Sequence, residues 1–534
     1  MARVRRAGGP PEGPPPTQGP TSSTLFALLS ARRFRLGAGT DRVAENLRQF
    51  GGELAQDATA VIGQGRAPVD SPSVALGPHA GTLGPRSFGF LNNGGQIAAL
   101  DGPVPAMPRR GRLGLILPTR DALPDVVPLC LAHDLGVTFI VSVGDGDPGE
   151  ALRFLAHQRD TEVLAVVLGA GQDAASLRGA LGAKPAVVLG AEGLCRAVAR
   201  RVGAHVVDRL DEWLAMAALL DAGVPLGGPA RVVVAGGGRA LVAAEVAAAG
   251  LQAEIVAVED ERDHAALRAA VHAVPKLPVV VVAGALAALE LPDGLRPLIC
   301  DLRHPEAMRT LFRALAEVPT EAVPAELVCS DASLRDKVRA EIEDLIGNDL
   351  GDHDLKRLLK AWAVRVTRQA PTNTPTGAQN LARTVGLPVQ LVGGGETRVA
   401  ESMPEVRQLA TLLLQKQSDL PSVLVRERFP DAPRARVRVT TQRGLGLVIS
   451  VEDLGQRSAD GSPDSAALVP LTDDDALRLA AAAGARRAGP ERAVADLLLR
   501  IAAAADGERL HLDLEIYVGA EPAVVDATGT ALKL

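Results

Sequence analysis

The chain is predicted to be an α/β protein in which parallel sheets give way to an α+β region, and three observations lead there. After Gly111, short apolar runs, "RLGLIL", "VTFIVSV", "VLAVVL" and "AVVLG", alternate with helix-length segments such as "PGEALRFLAHQR". Strands apolar on both faces need cover on both, and helical crossovers in a parallel sheet supply it. The same rhythm restarts at "ARVVVAGGGRALVAAEVAAAGLQAEIVAV" and runs through "LPVVVVAG", "PLICDL" and "AELVCS". Beyond Asp352 the period changes to two in "SVLVRERF", "ARVRVTTQRG" and "LGLVISVEDLG", which fits antiparallel strands.

Taken in order, residues 1–23 are basic and then proline-rich with no apolar core following directly, so they read as a disordered tail and not as a signal peptide. From Thr24 to Gly63 the pattern is helical, in "TLFALLSARRF" and "DRVAENLRQFGGELAQ", and from Ala67 to Arg110 it is rich in loop residues. "DRLDEWLAMAALLDAGVPLGG" is a helix and a Pro/Gly linker between the two α/β stretches. The expected divisions are therefore 24–110, 111–228, 229–350 and 351–534. The last holds a helix, strand, loop, helix and strand in "HDLKRLLKAWAVRVTRQAPTNTPTGAQNLARTVGLPVQLVGGG". It ends with the long helix "PERAVADLLLRIAAAA" and the strands "LHLDLEIYVG" and "PAVVDATG".

Composition narrows the function. At 534 residues the chain exceeds what one core serves. Aromatics are 2% of it, too few for base-stacking surfaces, and the net charge of −6 argues against nucleic acid. Cys130, Cys195, Cys300 and Cys329 are far apart in sequence with no CxxC spacing, as buried thiols in a reducing cytoplasm would be. No run of 18 uncharged apolar residues occurs, so no membrane span is expected.

Three stretches carry candidate chemistry. "AGGGRALVAAEVAAAG" places Gly236, Gly237, Gly238 and Arg239 between a strand and a helix, where backbone amides can hold a phosphate. In "HLDLE" the side chains of His511, Asp513 and Glu515 share one face of a strand. That face either binds Mg²⁺ or Mn²⁺ or is the polar face of an edge strand. Arg434, Arg436 and Arg438 likewise share a face, solvated or turned to an anionic partner, with Arg443 beyond them.

"TLGPRSFGFLNNGGQIAALDGPVPAMPRRGRLGLI", "GVTFIVSVGDGDPGEALRFLAHQRDTEVLAVVLG", "AWAVRVTRQAPTNTPTGAQNLARTVGLPVQLV" and "LHLDLEIYVGAEPAVVDATG" together resemble the NDP-forming acyl-CoA synthetases, relatives of succinyl-CoA ligase. The resemblance covers roughly residues 80 to 534 and implies four parts. They are a reduced CoA-binding, Rossmann-like unit, two flavodoxin-like ligase domains and an ATP-grasp-like domain. It implies CoA and Mg-ATP or Mg-ADP as ligands and an oligomer, homomeric or heteromeric, as the assembly. The CoA pocket would include Gly84, Pro85 and Ser87, and the second ligand turn Gly236 to Arg239.

In the family an acyl phosphate and a phosphohistidine carry the reaction, because imidazole can attack phosphorus and later leave. This sequence departs from that pattern at four places. The family's VSQSG turn falls on Leu117, Pro118, Thr119 and Arg120, and proline has no N–H to donate. The glutamate that orients the histidine falls on Gly169. The histidine loop shrinks to "AEGLCRAVARRVGAHVV", in which His205 is a displaced phosphocarrier or a structural histidine. The nucleotide-binding lysine falls on Val392, with Arg398 the cation nearby. The expectation is a catalytically inactive relative retained as a CoA- or nucleotide-binding regulatory or partner subunit. The alternative is an active ligase with an unusual or partner-supplied phosphocarrier.

Overall fold

The structure is a computed structural model that describes residues 27–29, 31–36, 40–58, 60–63, 73–75, 83, 86–119, 123, 125–169, 173–223, 226–260, 263–272, 279–283, 298–301, 305–316, 333, 336–337, 340, 349–416, 422–429, 433–455 and 465–531. The protein is α/β and divides into two compact units, Met1–Ala191 with Gly203–Thr320, and Glu192–Val202 with Glu321–Leu534.

The first unit opens on strands β1 (Arg33–Leu36), β2 (Glu53–Leu54), β3 (Ala60–Gly63) and β4 (Ser73–Ala75), all parallel in the order β2-β1-β3-β4. The helix Asp41–Gln49 crosses from β1 to β2 and buries Val43, Ala44 and Leu47. Here the structure corrects the sequence reading. "TLFALLSARRF" is not one helix, since Arg33 and Phe34 belong to β1, where Phe34 is wholly buried against Phe90. A four-residue strand lying between two helical patterns is too short to show a period of its own.

The stretch read as loop holds β4, β5 (Gly89–Asn92) and β6 (Ile97–Leu100), the last two an antiparallel hairpin whose turn is "NGGQ". Asn92 Oδ1 accepts the Gly95 amide at 2.9 Å, a local bond that closes such turns. The parallel strands β7 (Arg110–Leu117), β8 (Val137–Ser142), β9 (Val163–Val167), β10 (Ala186–Leu189) and β11 (His205–Val207) complete a sheet in the order β11-β10-β9-β7-β8-β5-β6. All of β9 is buried, as its unbroken apolar sequence requires. The third sheet is β12 (Ala230–Ala235), β13 (Ala253–Val258), β14 (Val279–Ala283) and β15 (Leu298–Asp301), all parallel, ordered β13-β12-β14-β15. "AELVCS" lies outside the described residues.

Asp221, 3% exposed at the end of the helix Leu210–Ala222, fastens that helix to the start of β7. Its carboxylate accepts Arg109 Nη2 at 2.7 Å and the amides of Arg112 and Gly136 at 3.1 Å each. A buried carboxylate persists only when so satisfied.

The second unit is built on antiparallel sheets. Its strands are β16 (Asp349–Leu350), β17 (Gln369–Thr372), β18 (Val389–Gly393), β19 (Glu396–Ala400), β20 (Val423–Glu427), β21 (Arg434–Gln442), β22 (Gly446–Asp453), β23 (Ala466–Leu468), β24 (Leu510–Tyr517) and β25 (Ala523–Ala531). One sheet is ordered β17-β20-β18-β19, and the helices Pro375–Val385 and Met403–Gln415 pack on it through Ala378, Ala382, Val406 and Ala410. The other is ordered β16-β25-β24-β21-β22-β23. Alternation along β24 buries Leu510, Leu512, Leu514 and Ile516 in the core shared with the helix Glu491–Glu508. Each such side chain stabilises the fold by about 1.5–3 kcal/mol. The helix Gly193–Arg201 belongs to this unit, where Arg201 Nη2 donates to the carbonyls of Leu468 at 2.9 Å and Pro470 at 2.6 Å. Among the described residues no helix is long and apolar enough to cross a membrane.

Candidate functional site

In an open parallel sheet, ligands gather beyond the carboxyl ends of the strands where neighbouring crossovers run in opposite directions. Each sheet of the first unit has that point at its first parallel strand. After β1 the turn lies outside the described residues. After β7, between β8 and β9, it falls on Pro118 and Thr119, with Arg120 and Asp121 outside the described residues. There the Pro118 carbonyl accepts Ser142 Oγ at 2.7 Å, so the turn is tied to β8 and proline offers it no amide.

The corresponding turn after β12, between β13 and β14, is Gly236, Gly237 and Gly238, with Arg239 opening the helix Arg239–Ala248. Gly236 and Gly238 have φ of 77° and 106°, a left-handed backbone that glycine alone adopts at little cost. The Gly236 amide donates to the Val258 carbonyl at 2.8 Å, which locks the turn to β13. Among the described residues a Cβ at Gly237 would meet nothing within 4 Å, and Arg239 is exposed. Open space, a helix N-terminus and a cation therefore coincide at this switch point.

The other first-unit candidates are placed differently. Gly84 and Pro85 lie outside the described residues. Ser87 is buried; its Oγ donates to the Ser142 carbonyl at 2.6 Å and accepts the Gly89 amide at 3.1 Å, fastening β5 beside β8. Arg86 is exposed and pairs with Asp145, Nε to Oδ2 at 2.7 Å, and this guanidinium holds the Asp145 carboxyl below the usual range. His205 sits in β11, the edge strand opposite Val187, and is 9% exposed. Cys130 is buried, and burial pushes its thiol up to about 12.

In the second unit His511, Asp513 and Glu515 do share a face of β24, but β24 is not an edge strand: it lies between β25 and β21. The register sets Arg436 opposite Glu515 and Arg438 opposite Asp513. Arg434 Nη1 reaches Glu515 at 2.5 Å, while Arg436 and Arg438 each approach Asp513 at 3.3 Å. His511 Nε2 accepts the Thr441 amide at 2.9 Å. The face is a ladder of ion pairs, and among the described residues no three His, Cys, Asp or Glu side chains are grouped to hold a metal ion. Val392 stands in β18, and Arg398, exposed in β19, pairs with Glu396 at 2.9 Å.

Sequence reasoning missed a cleft of about 520 Å³ in the second unit, lined by the helix Asp352–Ala361, the segment 363–370 and the helix Pro375–Val385. His353, Lys356, Arg357 and Lys360 recur at intervals of three and four, which puts them on one side of the first helix. That spacing was readable in "HDLKRLLK", although without the fold it describes any solvated helix face. Lys356 is 3% exposed; its Nζ donates to Gln369 Oε1 at 3.1 Å and the Val525 carbonyl at 2.5 Å, and pairs with Asp352 at 2.9 Å. Burial lowers the Lys356 pKa, and Asp352 opposes the shift.

No family model matches the chain, and no curated protein matches it. Among solved structures it is similar to the dinucleotide forming acetyl-coenzyme A synthetase 1 of Ca. Korarchaeum cryptofilum, solved with coenzyme A, acetyl-coenzyme A and a phosphorylated phosphohistidine segment. The identity is 17% over 37% of this chain and 99% of that one, with a TM-score of 0.32. PH0766 of Pyrococcus horikoshii OT3 is similar over 55% of this chain and 98% of its own at 14% identity, with a TM-score of 0.41. A second Ca. Korarchaeum cryptofilum structure of that synthetase, with phosphate and ADP, is similar over 55% of this chain and 96% of its own at 14% identity, with a TM-score of 0.39.

Proposed function

We propose that this chain is an acyl-CoA synthetase-like protein that no longer performs ligation and acts as a CoA- or nucleotide-binding regulatory or partner subunit. The observation that carries the proposal is the pairing of Asp513 with Arg436 and Arg438, and of Glu515 with Arg434. Carboxylates neutralised by guanidinium groups are poor ligands for Mg²⁺, which a transferring phosphoryl group requires beside it. Pro118, Gly169 and Val392 stand where the resembled family supplies an amide turn, an orienting carboxylate and a phosphate-binding lysine. Binding is supported by the glycine turn after β12, which keeps left-handed glycines, open space and Arg239 at a sheet switch point.

The test is thermal unfolding of the full chain with Mg-ATP, Mg-ADP, CoA and acetyl-CoA added separately. A ligand at ~100 times its dissociation constant stabilises the native state by about 2.7 kcal/mol when it ignores the unfolded chain. A shift with CoA or nucleotide that Arg239→Glu removes is the expected result. No shift with any of the four would sink the binding half of the proposal.

A further inference from the structure

The basic cleft of the second unit belongs to none of the candidate positions above, and its lining has a one-sided chemistry. Lys356, Arg357, Lys360, Arg365 and Arg368 contribute to it together with His353, and among the described residues no aspartate or glutamate does. Arg368, Arg365 and Lys356 are held from outside the lining. Arg368 pairs with Glu427 at 3.0 Å, Arg365 pairs with Glu521, and Lys356 turns inward to Asp352. Glu427 is 15% exposed, so it fixes the Arg368 guanidinium from a mostly buried position. Lys360 is exposed, and its ammonium has no hydrogen-bond or ion-pair partner among the described residues. A different surface completes the cleft: Val364 and Val385 are buried at its wall, with Leu381 and Val366 half-buried beside them.

Several cations spread over a helix and an extended segment suit a multiply charged group better than one carboxylate, because guanidinium groups engage phosphate oxygens two at a time. The apolar wall suits an organic body attached to that group, and about 520 Å³ is within the range that encloses a small ligand. We infer that this cleft is a binding site for a diphosphate ester, its charged group at Lys360, Arg357 and Arg365 and its organic body on Leu381 and Val385. The diphosphate is the chemistry that a nucleoside diphosphate and coenzyme A share. This site goes beyond the proposed function, which places a ligand only at the glycine turn.

Calorimetric titration of the full chain with ADP, coenzyme A and inorganic pyrophosphate tests it, using wild type, Lys360→Glu and the exposed charge reversal Arg407→Glu on another helix of the unit. The expected result is binding of at least one probe that Lys360→Glu weakens by about tenfold, that Arg407→Glu leaves unchanged, and that weakens with added salt. Binding of ADP alone or coenzyme A alone identifies which ester the apolar wall accepts, and binding of pyrophosphate alone keeps the anion site while removing the wall's role. Equal affinity of wild type and Lys360→Glu overturns the inference, as does the failure of all three probes. Loss of affinity in Arg239→Glu but not in Lys360→Glu would leave the proposed function standing and this site refuted.

Discussion

At the residue scale, several side chains have tasks that are separable from ligand binding. Cys130 is 2% exposed and its thiol is pushed up to about 12, so little thiolate forms near neutral pH. A chromogenic thiol reagent at pH 8 should leave Cys130 unmodified in the folded protein and react with it fully in denaturant. Rapid native labelling of Cys130, located by mass spectrometry, would refute its burial. Asp221 satisfies one guanidinium and two amides from a buried position, and removing one partner of such a set is costly. Asp221→Ala should lower the stability of the first unit by about 3 kcal/mol in urea unfolding. Glu427 gives a pH signature. Burial raises its pKa, and the hydrogen bonds and charge of Arg368 outweigh burial, leaving it below the ordinary carboxylate value. A carboxyl depressed on folding stabilises the native state above its unfolded pKa, about 4.3, and that stabilisation fades as pH falls through the folded value. The stability gap between wild type and Glu427→Gln, about 1 kcal/mol or less because Arg368 is largely exposed, should therefore be constant near neutrality and close in acid. A gap that ignores pH would exclude this origin.

At the element scale, legibility tracked length and periodicity. β7 to β9, β12 and the period-two strands β21, β22 and β24 were readable because each runs long enough to show which faces are buried, and the four-residue β10 because it continues the alternation of apolar runs with helices. β1 and the β5–β6 hairpin escaped because each strand has four residues, and the Asn-Gly signal in "FLNNGGQIAAL" sits in a stretch dense with other turn residues. The hairpin depends on Gly89, whose φ is 107° and where a Cβ would stand 1.9 Å from the Ala99 carbonyl oxygen. Gly89→Ala should cost about 1–3 kcal/mol and shift the unfolding midpoint accordingly. An unchanged midpoint would mean that the hairpin does not form this close pairing. The ion-pair ladder was half legible: sequence spacing put His511, Asp513 and Glu515 on one face and the arginines on another strand's face. Only the register of β21 against β24 brings the two sets together.

For the whole molecule, alternating apolar runs were enough to identify parallel sheets and, later, antiparallel ones. The candidate sites were less legible because they depend on strand order. Nothing in "VVVAGGGRA" or "LGLILPTR" says that either strand lies at a switch point, and only the structure shows Pro118 tied to Ser142 in the one turn and open space around Gly237 in the other. The basic cleft needed more still, since its lining joins two helices and an extended segment. The central claim is that this scaffold binds without passing phosphate through a histidine. Incubating the purified protein with Mg²⁺ and ATP labelled at the terminal phosphate tests that claim without knowledge of the acyl acid, by counting acid-labile label retained on the protein. The account predicts no label above that of heat-denatured protein; stoichiometric acid-labile label, at His205 or any other histidine, would contradict it.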